Sequence, residues 1–299
     1  MPERETDTTV LRNIRRESRH TTQRKKGLQE SYMKEIIENR QLIWKLARND
    51  FKKRYAGSAL GAVWALIQPV VTVVMYWIVF QGIFQNRAQM IAGGIEVPYV
   101  LFLTSGLVPW FFFSEALNNG TTALMEYQYL VKKVVFNINI LPVVRVTAAL
   151  FIHAFFVCVL LVISMLYGYF PGLPTLQIVY YSFGLFLFTL ALCYFTSAIV
   201  VFFRDLTQII NIALQLGMWA TPILWDISMT DSWPPVIGVI IRLNPVCYVV
   251  SGYRSAVYGQ VWFWEQPLYT VYFWAVTIIL LILGKKLFVK LKYHFADVL

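Results

Sequence analysis

The stretch KLARNDFKKRYAGSALGAVWALIQP, residues 45–69, changes character half-way along. Up to Tyr55 it continues a basic helix in which Met33, Ile36, Ile37, Ile43, Trp44, Ala47, Phe51 and Tyr55 recur at three- and four-residue spacing. Lys34, Glu38, Gln41, Lys45, Arg48 and Lys52 fall on the other face. Such a helix is too polar to cross a bilayer and is expected to lie in the membrane interface. From Ala59 to Phe84 there is no charged residue. That run exceeds the roughly 20 residues needed to cross a hydrocarbon core of about 30 Å, so it reads as a first span.

Composition agrees with a membrane protein. The 299-residue chain is 58% hydrophobic and 14% charged, against about 25% charged in soluble domains. The net charge of +10 could suggest nucleic acid, but 15 of the 26 Lys and Arg lie in Met1–Tyr55 and four more in Lys285–Lys292. Positive charge flanking the apolar part orients spans and attracts anionic headgroups, so no nucleic acid is required. Residues 1–30 are polar and Arg-rich, without the apolar stretch and cleavage site of a secretory signal, and read as a disordered cytoplasmic tail. Cys158, Cys193 and Cys247 are widely separated in apolar surroundings and read as small hydrophobes.

Further spans are expected at Val97–Leu117, Pro142–Phe170, Thr175–Phe203, Leu206–Trp225 and Pro267–Phe288. Between the second and third, Asn118–Leu141 is amphipathic and too polar to cross. Val236–Leu243 and Val246–Tyr258 are each too short, and the Asn244-Pro245 break between them suits a re-entrant hairpin on the outer side. The expected architecture is all-α with no strand of consequence. It comprises a tail (1–30), an interface helix (31–56) and a transmembrane domain (57–299) of six helices. Lys132, Lys133, Arg145, Arg204 and the C-terminal lysines fall on one side, which places both termini in the cytoplasm. No G-x-x-x-x-G-K-[ST] phosphate loop occurs in the sequence.

Two spans carry polar stripes. Gly61, Trp64, Gln68, Thr72 and Tyr76 share one face of the first, and Gln208, Asn211, Gln215, Met218 and Pro222 one face of the fifth. Polar side chains in a span turn from lipid toward a bundle interior or a wet cavity. They fit either helix packing through hydrogen bonds or a translocation path in which aromatic rings slide along sugar faces. Trp110, Trp225, Trp233, Trp262 and Trp264 fall at outer ends of spans and read as an interfacial belt. His153 reads as a packed, hydrogen-bonded residue. Arg242 and Arg254 fit either phosphate contacts, to lipid or substrate, or snorkelling to the interface. The acidic residues after the first span are scattered, with no D-x-D pair and no His-Glu metal motif, which argues against a membrane-embedded glycosyl- or phosphotransferase.

Several stretches resemble the membrane subunits of ABC-2 type exporters of lipid-linked polysaccharides, a family that includes O-antigen and teichoic-acid translocation permeases. They are RNDFKKRYAGSALGAVWALIQP (residues 48–69), GLVPWFF (106–112), LVKKVVFNINILP (130–142), Arg204-Asp205, Ala220-Thr221-Pro222-Ile223, and Asn244-Pro245 followed by Tyr253-Arg254. The resemblance covers roughly Tyr32 to the C-terminus. Asn137 stands where family members often carry Pro, so the turn there is expected to be looser. The resemblance implies a permease in the cytoplasmic membrane, a homodimer with two copies of a separate ABC ATPase, exporting a polymer on an undecaprenyl diphosphate carrier. The closest likeness is to a teichoic acid permease, with an O-antigen or capsule exporter as the alternative. A drug, haem or lipid exporter fits less well, since it would usually have a larger external loop or a fused ATPase. ATP and magnesium would be bound by the partner, leaving no cofactor in this chain. The resemblance also implies ATPase contacts through Ser31–Tyr55 and Asn119–Leu141, with Lys45, Arg48, Lys52, Tyr129, Lys132 and Lys133 as coupling residues. It places the first and fifth helices along the channel.

Overall fold

The computed structural model describes residues 37–54, 61–83, 88–90, 96–132, 136–259 and 261–299. The tail 1–30, the first residues of the expected interface helix, Tyr55 and Lys133 lie outside them. The chain divides into two units, Met1–Lys45 and Leu46–Leu299.

Helix α1 (Arg40–Arg54) forms where the basic amphipathic helix is expected. Ile43 and Ala47 are buried while Trp44 is 56% exposed, so the buried stripe is narrower than the apolar residues suggest. Asp50, a carboxylate, is buried one turn further on. The first apolar run becomes α2 (Trp64–Trp77), extended by a π-helical turn at Ile78–Ile83. A short hairpin of β1 (Ala88–Met90) and β2 (Glu96–Pro98) follows, antiparallel with Gln89 opposite Val97. These three-residue strands depart from the all-helical expectation. Pro98 cannot supply a backbone N–H to extend the ladder, and α3 (Tyr99–Thr121) begins at the next residue.

Two one-turn helices, α4 (Ala123–Glu126) and α5 (Gln128–Val131), make the polar segment before the next long helix. Asn137 does not loosen the following turn, because its side chain accepts a hydrogen bond from Asn139 N at 3.1 Å and closes it. Then come α6 (Leu141–Leu166), α7 (Gln177–Val200) and α8 (Leu206–Ala220). The break expected at Asn244-Pro245 separates α9 (Pro235–Arg242) from α10 (Pro245–Arg254), which meet at 83° when α10 is taken through its π-helical extension to Gly259. Asn244 caps α10 by accepting from Val246 N at 3.0 Å and donates to Thr221 Oγ1 at 2.8 Å, so the corner is tied to the end of α8. Helices α11 (Pro267–Leu291) and α12 (Phe295–Val298) complete the described chain.

Among the described residues, four helical segments are long and apolar enough to cross a membrane: Tyr99–Thr121, Ile138–Leu166, Leu173–Val200 and Pro267–Val298. The bent pair makes a fifth if it counts as one span, and Trp64–Phe80 is a shorter apolar helix. Helices α3 and α7 pack together with α6 on the first, α11 on the second, and α10 against both. Small residues set these contacts, as expected where lipid supplies no hydrophobic drive between helices. A Cβ on Gly284 of α11 would stand 2.7 Å from the Ala191 carbonyl of α7, and one on Gly252 of α10 would overlap the Tyr181 ring. Thr121 and Thr196 join α3 to α7 through their hydroxyls at 2.8 Å.

Trp110 departs from the interfacial belt. It is 5% exposed and packs near Gly217 of α8, where an added Cβ would meet its ring at 3.0 Å. Trp262 and Trp264 stack with centroids 4.4 Å apart, and Trp264 is exposed.

Candidate translocation cleft and its charged end

A cavity of about 830 Å³ lies between α2, α3 and α6. Trp64, Gln68 and Thr72 line it from α2, Glu115, Asn118 and Asn119 from α3, and Ile152 and His153 from α6. Arg54, at the end of α1, reaches the same cavity. A neighbouring cavity of about 210 Å³ shares Val108, Phe111 and Phe156 with the first and is otherwise lined by residues such as Val70, Val74, Val159 and Ile163. The groove beside α2 is therefore charged and polar at one end and aliphatic at the other. Carboxamides and a carboxylate on a span are costly toward lipid, and here they turn into the groove.

The structure brings three of the five stripe residues of the first span, Trp64, Gln68 and Thr72, to this one wall. Tyr76 turns elsewhere, its hydroxyl 3.9 Å from Met218 Sδ of α8, which joins the two striped helices. Gly61 lies in a 3-10 turn at φ +53°, a conformation that favours glycine. Gln208, Asn211 and Gln215 are exposed on α8 and do not line the cavity. Lys45, Arg48, Lys52, Tyr129 and Lys132 are exposed. Arg242 is exposed, whereas Arg254 is buried, its Nη2 donating to the Ile223 carbonyl at 2.9 Å and its guanidinium 3.5 Å from the Phe102 ring centre. That burial is at odds with snorkelling of Arg254 to an interface. His153 is packed as expected, with Nε2 2.9 Å from the Tyr253 hydroxyl and 3.2 Å from Ser182 Oγ.

At the charged end, residues far apart in sequence converge. Asp50 accepts from Arg145 Nη1 at 3.0 Å, from the Tyr127 hydroxyl at 2.7 Å and from Arg54 Nη2 at 3.4 Å. Arg145 Nη2 also donates to the Glu126 carboxylate, and Arg54 Nη1 donates to Glu115 Oε1 at 2.5 Å. The Arg145 guanidinium lies 5.0 Å from the centre of the Tyr127 ring. Burial, then the bond to the Asp50 carboxylate, holds the Tyr127 phenol above its ordinary pKa, so it stays a donor. Two guanidiniums thus serve three carboxylates, linking α1, α3, α4 and α6.

The two arms of Arg145 differ in weight. Its side chain and that of Asp50 are 5% and 8% exposed, and removing one partner of a buried pair costs about 3–5 kcal/mol because the other charge is stranded. Glu126 is 52% exposed, and an ion pair in water contributes only about 0–1 kcal/mol. Glu126 is further held by the Thr122 hydroxyl at 2.7 Å.

Sequence reading treated Glu115 and Glu126 as scattered, gave Asp50 no role and took Arg145 as an orienting charge. The available signal was a charge inside an otherwise apolar helix: Glu115 in α3 and Arg145 in α6 each demand a partner. Which partner was not legible, since 61 residues separate Arg54 from Glu115 and 95 separate Asp50 from Arg145.

Comparison with known proteins fits this architecture. The profile of the family described as "ABC-2 type transporter" matches residues 41–258. The "O-antigen export system permease protein RfbA" of Myxococcus xanthus is 28% identical over 270 residues, covering 89% of this chain and 98% of that protein. A protein of the same name from Klebsiella pneumoniae is 28% identical over 263 residues, covering 86% and 95%. With the match running from α1 through α10 and four apolar helices of spanning length among the described residues, the chain belongs to the ABC-2 type transporter family and is a multi-pass membrane protein.

Proposed function

We propose that this chain is the permease subunit of an ATP-driven exporter of a lipid-linked cell-surface polysaccharide, with O-antigen-type glycan as the cargo. The observation that carries the reading is near full-length similarity to O-antigen export permeases. It favours the O-antigen alternative over the teichoic acid expected from the sequence. In this reading two copies of the chain assemble with two ABC ATPase subunits, and ATP drives the polymer across on its undecaprenyl diphosphate carrier. The missing phosphate loop agrees with a separate ATPase. Lys45, Arg48, Lys52, Tyr129 and Lys132 are each exposed and in this reading contact that subunit, as does Lys133, next in sequence. Gln208, Asn211 and Gln215, exposed on α8, would face the second copy across the path rather than lipid.

The test is complementation. Expressed with its cognate ATPase in a cell whose own O-antigen permease is deleted, the chain should restore polysaccharide at the surface, and an ATPase-dead partner should abolish it. If surface glycan stays absent while the chain restores teichoic acid in a permease-null Gram-positive host, the cargo assignment is wrong.

Six spans with both termini in the cytoplasm, and α9–α10 as an outer re-entrant pair, complete the proposal. Ser232 and Gln128 are both exposed in the described chain. A cysteine at Ser232 should label from outside intact cells and one at Gln128 only after permeabilisation. Labelling of Gln128→Cys from outside would overturn this topology.

A further inference from the structure

We infer that Asp50 and Arg145 are positioning residues that form the joint between the ATPase-facing segments and the cleft. The inference rests on the permease reading. Its basis is the sequence of contacts through the cluster. The α4–α5 segment supplies Glu126 and Tyr127, which hold Arg145 and Asp50 respectively. Asp50, carried on α1, is joined to Arg145 at the start of α6 and to Arg54 four residues on. Arg54 bonds Glu115 of α3, and both line the 830 Å³ cavity. A displacement of α1 or α4 is thereby passed to the cleft wall through ionic contacts.

The arms of the joint have different duties. Asp50 gathers three donors from three elements and is buried with Arg145, so separating them strands a charge. Glu126 is half in water and can exchange Arg145 for solvent at small loss. Arg145 Nε has no hydrogen-bond partner among the described residues, so the hydrogen bonds to the two carboxylates come from its two terminal nitrogens. The Asp50–Arg145 arm stays closed as the pivot, and the Glu126 arm opens and closes. A cavity of about 400 Å³ bordered by Asp50, Glu126, Tyr127 and Arg145 leaves room for that swing.

The test uses the whole transporter with its ATPase subunit, and reads copurification, ATP hydrolysis and polymer exported per ATP. Asp50→Asn should still assemble and hydrolyse ATP, but its export per ATP should fall about tenfold or more, within the usual span of coupling between sites. Glu126→Gln should change it less than about threefold, as expected of a half-exposed pair. Asp50→Asn combined with Arg145→Gln, which leaves neither buried charge stranded, should lose less export than the two single losses together. Should Asp50→Asn fail to assemble, Tyr127→Phe decides: it removes one bond to Asp50 without changing charge, and should lower export per ATP with thermal stability near wild type. The joint is overturned if Asp50→Asn, or in its place Tyr127→Phe, leaves export per ATP at the wild-type value. It is also overturned if the losses at Asp50 and Arg145 simply add. If the wild-type complex shows no ATP-dependent export, the permease reading fails instead.

Discussion

Leucine at Gly252 is expected to abolish the folded transporter rather than weaken it. On α10, Gly252 faces the Tyr181 ring of α7 so closely that even a Cβ would overlap it. The ring has nowhere to go. Tyr181 is 4% exposed, with its centroid 5.1 Å from the Tyr180 ring and 5.3 Å from the Tyr248 ring. Tyr248 is in turn stacked at 4.8 Å on Phe273 of α11. Overpacking an ordinary core position costs about 1–3 kcal/mol, and here a whole isobutyl group is forced against three packed helices. Domains are stable by only about 5–15 kcal/mol, so a loss beyond that range of overpacking removes most of the margin. Size-exclusion profiles of detergent-solubilised protein should show aggregate in place of the wild-type peak. Gly82→Leu is the control, because no described residue lies within 4 Å of a Cβ there. Combining Gly252→Leu with Tyr181→Ala should recover part of the folded peak. A normal profile for Gly252→Leu alone would mean that α10 does not pack on α7 as described.

The positions of the long helices were readable because each is a long apolar run with polar ends. Thus Pro142 opened the third expected span and sits in the first turn of α6. The Asn244-Pro245 corner was readable as well, since proline stops the preceding helix and asparagine caps the next. Pairings between helices were not. Hydropathy is the same for a residue facing lipid and one facing a neighbouring helix, so nothing in the local pattern separates buried Trp110 from exposed Trp264. Periodicity placed Trp64, Gln68 and Thr72 on one face and α8's glutamines on another, and the structure keeps both faces. It could not tell that the first borders the 830 Å³ cavity and the second does not. The ionic cluster was least legible, because its members come from four elements and each looks solvated or orienting when read alone.

A thiol-reactive adduct at Gln68 should stop export almost completely. Gln68 and Thr72 line the 830 Å³ cavity together with charged Arg54 and Glu115, so water and polar reagents have a hospitable surface at that end. A site for one ordinary small ligand spans about 300–1,000 Å³, so the cleft holds a single small group rather than a polymer. If cargo passes here it must pass a unit at a time, and any adduct that fills the space blocks every later unit. The background is favourable: Cys193 and Cys247 are buried, and only exposed Cys158 needs replacing. In that background, Gln68→Cys and Thr72→Cys should react with a charged methanethiosulfonate, faster during ATP turnover. Export should then fall by about tenfold or more, a loss of roughly 1.4 kcal/mol in effective rate. Met75→Cys is the control, because Met75 is exposed on α2 but borders neither cavity, and in a span that surface meets lipid. It should stay unmodified by the same reagent. Packing predicts the opposite pattern, since side chains that serve only to join helices remain dry in every state. If Gln68→Cys and Thr72→Cys both stay unreactive while polymer is being exported, the stripe holds α2 in place and the cargo takes another route.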